Sequence, residues 1–286
     1  MIPVLDGFDL VVPASLDEAL RILASDPDAR PFAGGTDLMV VLDAGHLSPG
    51  RYISLWGIRE LHGISRDDRG GVAIHALTTF SEMRESSLIA DAYPMLTAAA
   101  REIGGIATQN RATIGGNIAN ASPAADSPPA LLAYDADIEV LSIRGRRQMP
   151  YANFHTGYKK TRLEPGEIIA RIVLPPRPGG WRDGYHKVGT RRAQAISKVC
   201  LAGSVLMDGD RIADVRLALG SVAPTVVRCR HAEDAVRRQT LEDGVIAEAA
   251  RALANDIAPI DDIRSTSEYR RAVAQNLVAA FLRDSL

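Results

Sequence analysis

Leu16, Ala19, Leu20 and Leu23 recur at i, i+3, i+4 and i+7, which is one apolar stripe on a helix. Ser15 and Glu18 frame its start as a capping box, where hydroxyl and carboxylate each satisfy an orphan amide. Pro27 ends it. A short strand over residues 30–33 runs into Gly34-Gly35-Thr36-Asp37, and residues 38–42 read as a short apolar helix that ends near Gly45. Residues 52–55 and 71–76 read as strands. Thr79 caps a short helix from Phe80, and Asp91 caps a longer one through Leu96, Ala99 and Ile103 to Gly104-Gly105. Residues 107–129 carry neither helical nor strand periodicity, and so long an irregular stretch inside a compact domain is usually functional. Asp126 is expected to cap a helix with Pro128 in its first turn, and residues 138–143 form a strand.

The pattern changes after the Pro-Gly text at residues 175–180, which reads as a linker. Residues 197–207 and 211–219 are β-rich runs joined by Asp208-Gly209-Asp210, a hairpin signal. A helix begins at Thr240 with a box to Asp243, and another covers residues 267–281 with Tyr269, Val273, Leu277 and Phe281 inward. Two domains follow, residues 1–177 and 178–286.

Length supports that division, because 286 residues exceed the usual size of one domain. Lys and Arg number 33 against 35 Asp and Glu, so the chain lacks the basic excess of a dedicated nucleic-acid binder. No run of about 18 apolar residues offers a transmembrane segment. The first residues show no basic stretch followed by an apolar one, so no signal peptide is expected. Two cysteines, Cys200 and Cys229, are too few for an iron–sulfur cluster and suit a cytoplasmic setting.

The candidate chemistry lies in two glycine loops. Gly34-Gly35 lets backbone amides approach a phosphate, Thr36 adds a hydroxyl, and a helix start follows. A tight turn with a Thr or Asp cap is the alternative. Thr113-Ile114-Gly115-Gly116-Asn117 sits in the irregular stretch and leads to Ser122 and Asp126. Such a loop can lie flat against a large ligand and offer many amides, with Gly116 at positive φ. Asn117 and Ser122 can donate to phosphate or ribityl oxygens, and Asp126 can accept from hydroxyls or ring N–H groups. Neither loop is a Rossmann or Walker sequence, and no zinc-protease, nucleophile-elbow or Cys-x-x-Cys motif is present.

Ala33-Gly34-Gly35-Thr36-Asp37-Leu38, Ala112-Thr113-Ile114-Gly115-Gly116-Asn117 and Ser122-Pro123-Ala124-Ala125-Asp126 resemble the FAD-binding medium subunit of molybdenum hydroxylases, the xanthine and carbon monoxide dehydrogenase family. The likeness extends over nearly the whole chain, through Gly157-Tyr158-Lys159-Lys160-Thr161, Gly166-Glu167-Ile168-Ile169, Lys187-Val188 and Arg191-Arg192. It implies an α+β fold: a two-lobed FAD-binding domain of the vanillyl-alcohol oxidase type, then a small α+β C-terminal domain. Arg30, Pro31, Phe32, Ala33, Gly34, Gly35, Thr36 and Asp37 would wrap the FAD diphosphate. Thr113, Ile114, Gly115, Gly116 and Asn117 would do so from the other side. Ser122 and Asp126 would hold the ribityl chain or the adenosine, and Ile168 would pack on the cofactor. Lys187 would stand near the flavin; a generic surface lysine is the alternative.

The resemblance further implies non-covalent FAD, with electrons arriving from [2Fe-2S] clusters on a small subunit. A large subunit would carry the molybdenum cofactor, and the acceptor would be NAD or a quinone. A heterotrimer or its dimer is expected. The benzoyl-CoA reductase branch, with an extra cluster here, is excluded by the cysteine count. Three other readings stand beside this one: a free-standing flavin oxidase or reductase, a non-catalytic nucleotide-binding regulator, and an assembly protein that binds no cofactor.

Overall fold

A computed structural model describes residues 6–285 apart from Arg192. The N-terminal residues read for a leader, and Arg192 of the motif text, lie outside the described residues. The described residues build three larger sheets and one two-stranded hairpin. The first is parallel, with β1 (Phe8–Val11), β2 (Arg30–Phe32) and β3 (Gly50–Ser54) in the order β1-β3-β2. Helix α1 (Leu16–Ser25) links β1 to β2, and α2 (Leu38–Asp43) links β2 to β3. Ser15 caps α1 by accepting from the Glu18 amide, but the Glu18 carboxylate accepts from the Ala14 amide rather than that of Ser15.

The second sheet is antiparallel: β4 (Ile64–Arg66), β5 (Val72–His75), β6 (Asp137–Ser142), β7 (Gly145–Pro150) and, between β5 and β6, a central strand of residues Ile168–Leu174. A small hairpin, β8 (His155–Gly157) and β9 (Lys160–Thr161), precedes that strand, which is therefore β10. Both faces of β10 are covered. A register shift between Ile169 and Arg171 changes the alternation, so Ile168 and Ala170 join the core under the first sheet while Ile169, Ile172 and Leu174 join the larger core. Six short helices pack around this sheet: α3 (Phe80–Glu85), α4 (Ser87–Ala92), α5 (Pro94–Glu102), α6 (Ile106–Gln109), α7 (Ile114–Ala119) and α8 (Pro128–Ala133).

Four expectations change here. Asp91 is inside α4 and caps nothing; Pro94 starts α5 instead, since a missing N–H costs nothing in a first turn. The irregular stretch contains α6 and α7. Ser127, not Asp126, is the N-cap residue of α8, because the Asp126 carboxylate is held by Lys187. Gly116 has helical backbone inside α7 rather than positive φ.

The third sheet is antiparallel, β11 (Trp181–Val188), β12 (Val199–Asp208), β13 (Arg211–Gly220) and β14 (Val227–Arg228), under α9 (Arg230–Val236), α10 (Asp243–Ala252) and α11 (Ser267–Asp284). Thr240 pairs with Arg211 in an isolated bridge, and α10 starts three residues after it, behind Glu242. The buried face of α11 is Arg270, Ala274, Val278, Phe281 and Leu282; Tyr269 is 43% exposed. The stripe is turned one position from the expected one because Arg270 is drawn inward to the Lys198 and Ser221 carbonyls.

Arg177 joins the second and third sheets. Its guanidinium lies over the rings of Tyr134 at 4.9 Å and Trp181 at 5.0 Å and pairs with Asp183. Asp183 also accepts from the Tyr134 hydroxyl at 3.0 Å. Within the third sheet, Gly184 and Gly203 are cross-strand partners, and an added Cβ on either would lie within 2.6 Å of the Phe281 ring. The pair makes a slot that only glycine leaves open for α11. Phe281→Ala is expected to empty this slot and to cost about 3–5 kcal/mol, read as a lower urea midpoint at nearly constant slope.

Candidate functional site

A cavity of about 1270 Å³ opens where the three sheets meet. The β2–α2 loop forms one wall, and the segment from α7 to Asp126 forms the opposite one. The two walls touch at their base. A Cβ on Gly34 would stand 1.8 Å from the Arg111 carbonyl oxygen, so only glycine allows the approach. Gly35 has φ +76, and the Phe32 ring fills the space behind it. Further out, Asn120 donates to Asp37 Oδ1 at 3.2 Å and accepts from Lys159, tying both walls to the β8–β9 hairpin.

The two glycine loops differ in what they offer. The backbone amides of Gly35, Thr36 and Asp37 make no hydrogen bond within the described residues. In the second loop the amides are already used: Ile114 on Thr78, Gly115 on Ala76, Gly116 on the Thr113 hydroxyl at 3.1 Å, and Asn117 on the Thr113 carbonyl. The expectation of many free amides there fails for that reason. Thr113 is the α7 cap, and the loop contributes a flat surface instead. Gly115 packs on Ala76, where a Cβ would lie 2.7 Å from both the Ala76 Cβ and its oxygen. Gly116 faces the cavity, and only the Thr113 hydroxyl lies within 4 Å of an added Cβ.

Pro31, Ala33, Gly34, Gly35, Thr36 and Asp37 line the cavity, as do Thr113, Gly115, Gly116, Asn117, Ser122, Asp126 and Ile168. Four expected residues stand elsewhere. Arg30 points to Tyr52 and the Ser48 carbonyl, Phe32 supports Gly35 from behind, and Ile114 is in the core. Lys187 is behind the wall with its side chain only 5% exposed, so it is no surface lysine; its Nζ is 2.7 Å from Asp126 Oδ2 and 2.8 Å from the Glu102 carbonyl.

Asp126 is the most perturbed group of the lining. Burial pushes its carboxyl up to about 6; Lys187 pulls it down and Glu102 adds to the rise. Its Oδ1 is buried with no partner. Two more orphans line the far wall, Ser197 Oγ and Arg270 Nε. Buried polar atoms without partners are rare, and three around one cavity mark a place where a polar ligand supplies the missing bonds.

Residues 6–177 match the model of the FAD binding domain in molybdopterin dehydrogenase, and residues 184–285 match the CO dehydrogenase flavoprotein C-terminal domain. The chain is 34% identical to the xanthine dehydrogenase FAD-binding subunit of Escherichia coli O157:H7 over 277 residues, 96% of this chain and 94% of that protein. The chain belongs to the FAD-binding medium subunits of the molybdenum hydroxylases. Solved relatives agree. Carbon monoxide dehydrogenase from Hydrogenophaga pseudoflava superposes with a TM-score of 0.93 at 30% identity, covering 99% of this chain and 98% of that one. Quinoline 2-oxidoreductase from Pseudomonas putida 86 gives 0.90 at 27% identity, covering 97% and 96%.

The cavity suits this family's cofactor on its own geometry. It exceeds the roughly 300–1,000 Å³ of ordinary small-ligand pockets. It offers three free amides on one wall, a flat glycine surface on the other, and one buried carboxylate oxygen without a partner. No His or Cys is among the lining residues, and no cluster of three or more His, Cys, Asp or Glu able to hold a metal exists among the described residues. No helix is long and apolar enough to cross a membrane there either. Sequence reasoning missed Asn120, Ser197 and Arg270. Asn120 follows the second glycine motif by three residues and was legible; Ser197 and Arg270 reach the cavity only through the packing of the third sheet. Gly115→Ala is expected to lower stability by about 1–3 kcal/mol through overpacking, with Gly116→Ala close to neutral, both read by thermal unfolding.

Proposed function

We propose that this medium subunit holds one FAD non-covalently in the three-walled cavity and serves electron transfer between [2Fe-2S] clusters on a small partner subunit and an external acceptor such as NAD or a quinone. The observation that carries this reading is the pairing of three free amides with a glycine surface across one cavity, beside the unpaired Asp126 oxygen. In this reading the Gly35, Thr36 and Asp37 amides donate to the diphosphate. Gly115 and Gly116 let it lie close, Ser122 holds ribityl or adenosine hydroxyls, Asp126 takes the ribityl chain or a ring N–H group, and Ile168 gives an apolar contact. Arg30, Phe32 and Ile114 act behind the loops by holding them in place. When bound, the flavin supplies the exchange between one-electron and two-electron chemistry.

The same reading places the molybdenum cofactor on a large partner subunit, and the complex as a cytoplasmic heterotrimer or its dimer. Two buried thiols, Cys200 and Cys229, cannot ligate a cluster, so the electrons come from another chain. The division at residue 177, with the first two sheets as two lobes of a vanillyl-alcohol oxidase-type domain, accords with the end of the FAD-binding match at residue 177 and with the core that the third sheet forms with its helices.

Three outcomes are expected. Acid precipitation releases all yellow colour to the supernatant, since the cavity has no His or Cys to form a flavin bond; colour kept in the pellet would refute this. Gly116→Val weakens FAD binding about 10–100-fold by filling the wall, while circular dichroism stays native. The isolated subunit shows no flavin bleaching when mixed anaerobically with purines, aldehydes or N-heterocycles, and bleaching appears once the other two subunits are added. Bleaching by the subunit alone would make it a self-sufficient flavoenzyme.

A further inference from the structure

The Lys187–Asp126 pair joins two cavities. Asp126 lines the large one. Lys187 lines a side cavity of about 150 Å³, together with Glu102, Gly189 and Arg191, and Gln194 and Ala195 belong to the walls of both. A polar space of that size holds several waters. The Lys187–Asp126 ion pair thus lies between the side cavity and the large one, beside Gln194, which lines both. Asp126 keeps Oδ2 on Lys187 and leaves Oδ1 free and buried.

Electrons delivered singly by an iron–sulfur donor bring no protons. Reduction of an isoalloxazine by two electrons then takes up to two protons from solvent, and the side of a ligand turned to the Asp126 wall can receive one through the protein. We propose that Lys187 and Asp126 are the proton inlet of the flavin site, carrying protons from the side cavity to the group bound in the large one. This rests on the FAD reading above. The N–H bond at Lys187 Nζ breaks as an O–H bond forms at Asp126 Oδ2. Rotation of the carboxyl group about Cβ–Cγ turns that O–H toward the cavity, and it breaks as an N–H bond forms on the ring. A proton from bulk solvent, relayed through water in the side cavity, then binds Lys187 Nζ and restores the ammonium. Only protons pass through the pair; the electrons come from the iron–sulfur donor.

The surroundings suit the role. Asp126 faces Lys187 from β11 and Glu102 from the end of α5, and burial sets its carboxyl near 6, close to working pH, where proton transfer is most effective. The Tyr185 hydroxyl donates to the Asp126 backbone carbonyl at 3.1 Å, and the Cys200 thiol donates to Tyr185 at 3.2 Å. Burial pushes both of these groups up, so neither competes for the proton near neutral pH.

The test uses the purified flavin-containing subunit. A flash-generated one-electron donor reduces the flavin, its absorbance reports reduction, and a pH-indicator dye reports proton uptake. Lys187→Arg keeps a cation on Asp126 but not a proton that can leave, so uptake is expected to slow about 100-fold at full flavin content. Lys187→Ala is expected to slow equally. Methylammonium and related small amines then restore uptake at rates that follow the amine pKa, which a structural role would not produce. The infrared carboxyl band of Asp126 titrates near 6 in the parent protein and moves up in Lys187→Ala, where the cation is gone. If Lys187→Ala loses its flavin, Lys187→Arg and the parent's carboxyl titration still decide. Parent-like uptake in flavin-loaded Lys187→Arg, or rescue indifferent to amine pKa, overturns the inlet and leaves the FAD reading standing. A parent subunit that takes up no flavin overturns both.

Discussion

The contact between the Gly34 backbone and the Arg111 carbonyl is the constraint on which the site depends. It brings the loop after β2 against the segment before α7, two pieces of chain nearly eighty positions apart, with no side chain between them. Any other residue at 34 would need the Arg111 oxygen to move by more than an ångström. Once the bases of the walls are fixed, their upper parts diverge and the space between them is the cavity. Phe32 under Gly35, Ala76 under Gly115 and the Asp37–Asn120–Lys159 hydrogen bonds hold the two surfaces that face each other.

The walls divide the chemistry between them. One has amides without partners, the other has none to spare and presents bare backbone. The third sheet closes the space with Ser197, Ser221 and Arg270, and from behind it Lys187 reaches through to Asp126. Burial then does to Asp126 what no neighbour in the sequence could: it lifts a carboxyl toward neutrality although a lysine sits beside it. Desolvation outweighs the ion pair because the side chain keeps only 11% of its exposure.

Much of this was legible in the residues. Both glycine loops, α1 and the β12–β13 hairpin carry local signals, and the loops are where the cavity lies. The misses share a cause. β10 is buried on both faces and shows no alternation, and β11 is half-buried along its whole length, so neither displays a two-residue period. Asp126 looked like a cap because caps are local, whereas its true partner is sixty-one positions away. The phase of α11 was misjudged because a buried arginine looks polar to any periodicity count; only the carbonyls of Lys198 and Ser221, far off in sequence, explain it.

A cavity with walls from three sheets also governs how the molecule comes apart. The sheets share their cores: Ile168 and Ala170 of β10 lie in the core under the first sheet, and Ala202 of β12 and Ala218 of β13 lie in the core of the second. A ligand bound to all three walls adds its binding free energy to every opening that parts them, by RT ln(1 + [L]/Kd). Empty, the loops that form the walls can part without breaking the shared cores; filled, they open only together with them. Amide exchange would then show the wall loops rising toward the protection of the cores, with the occupant of the cavity setting the size of the cooperative folding unit.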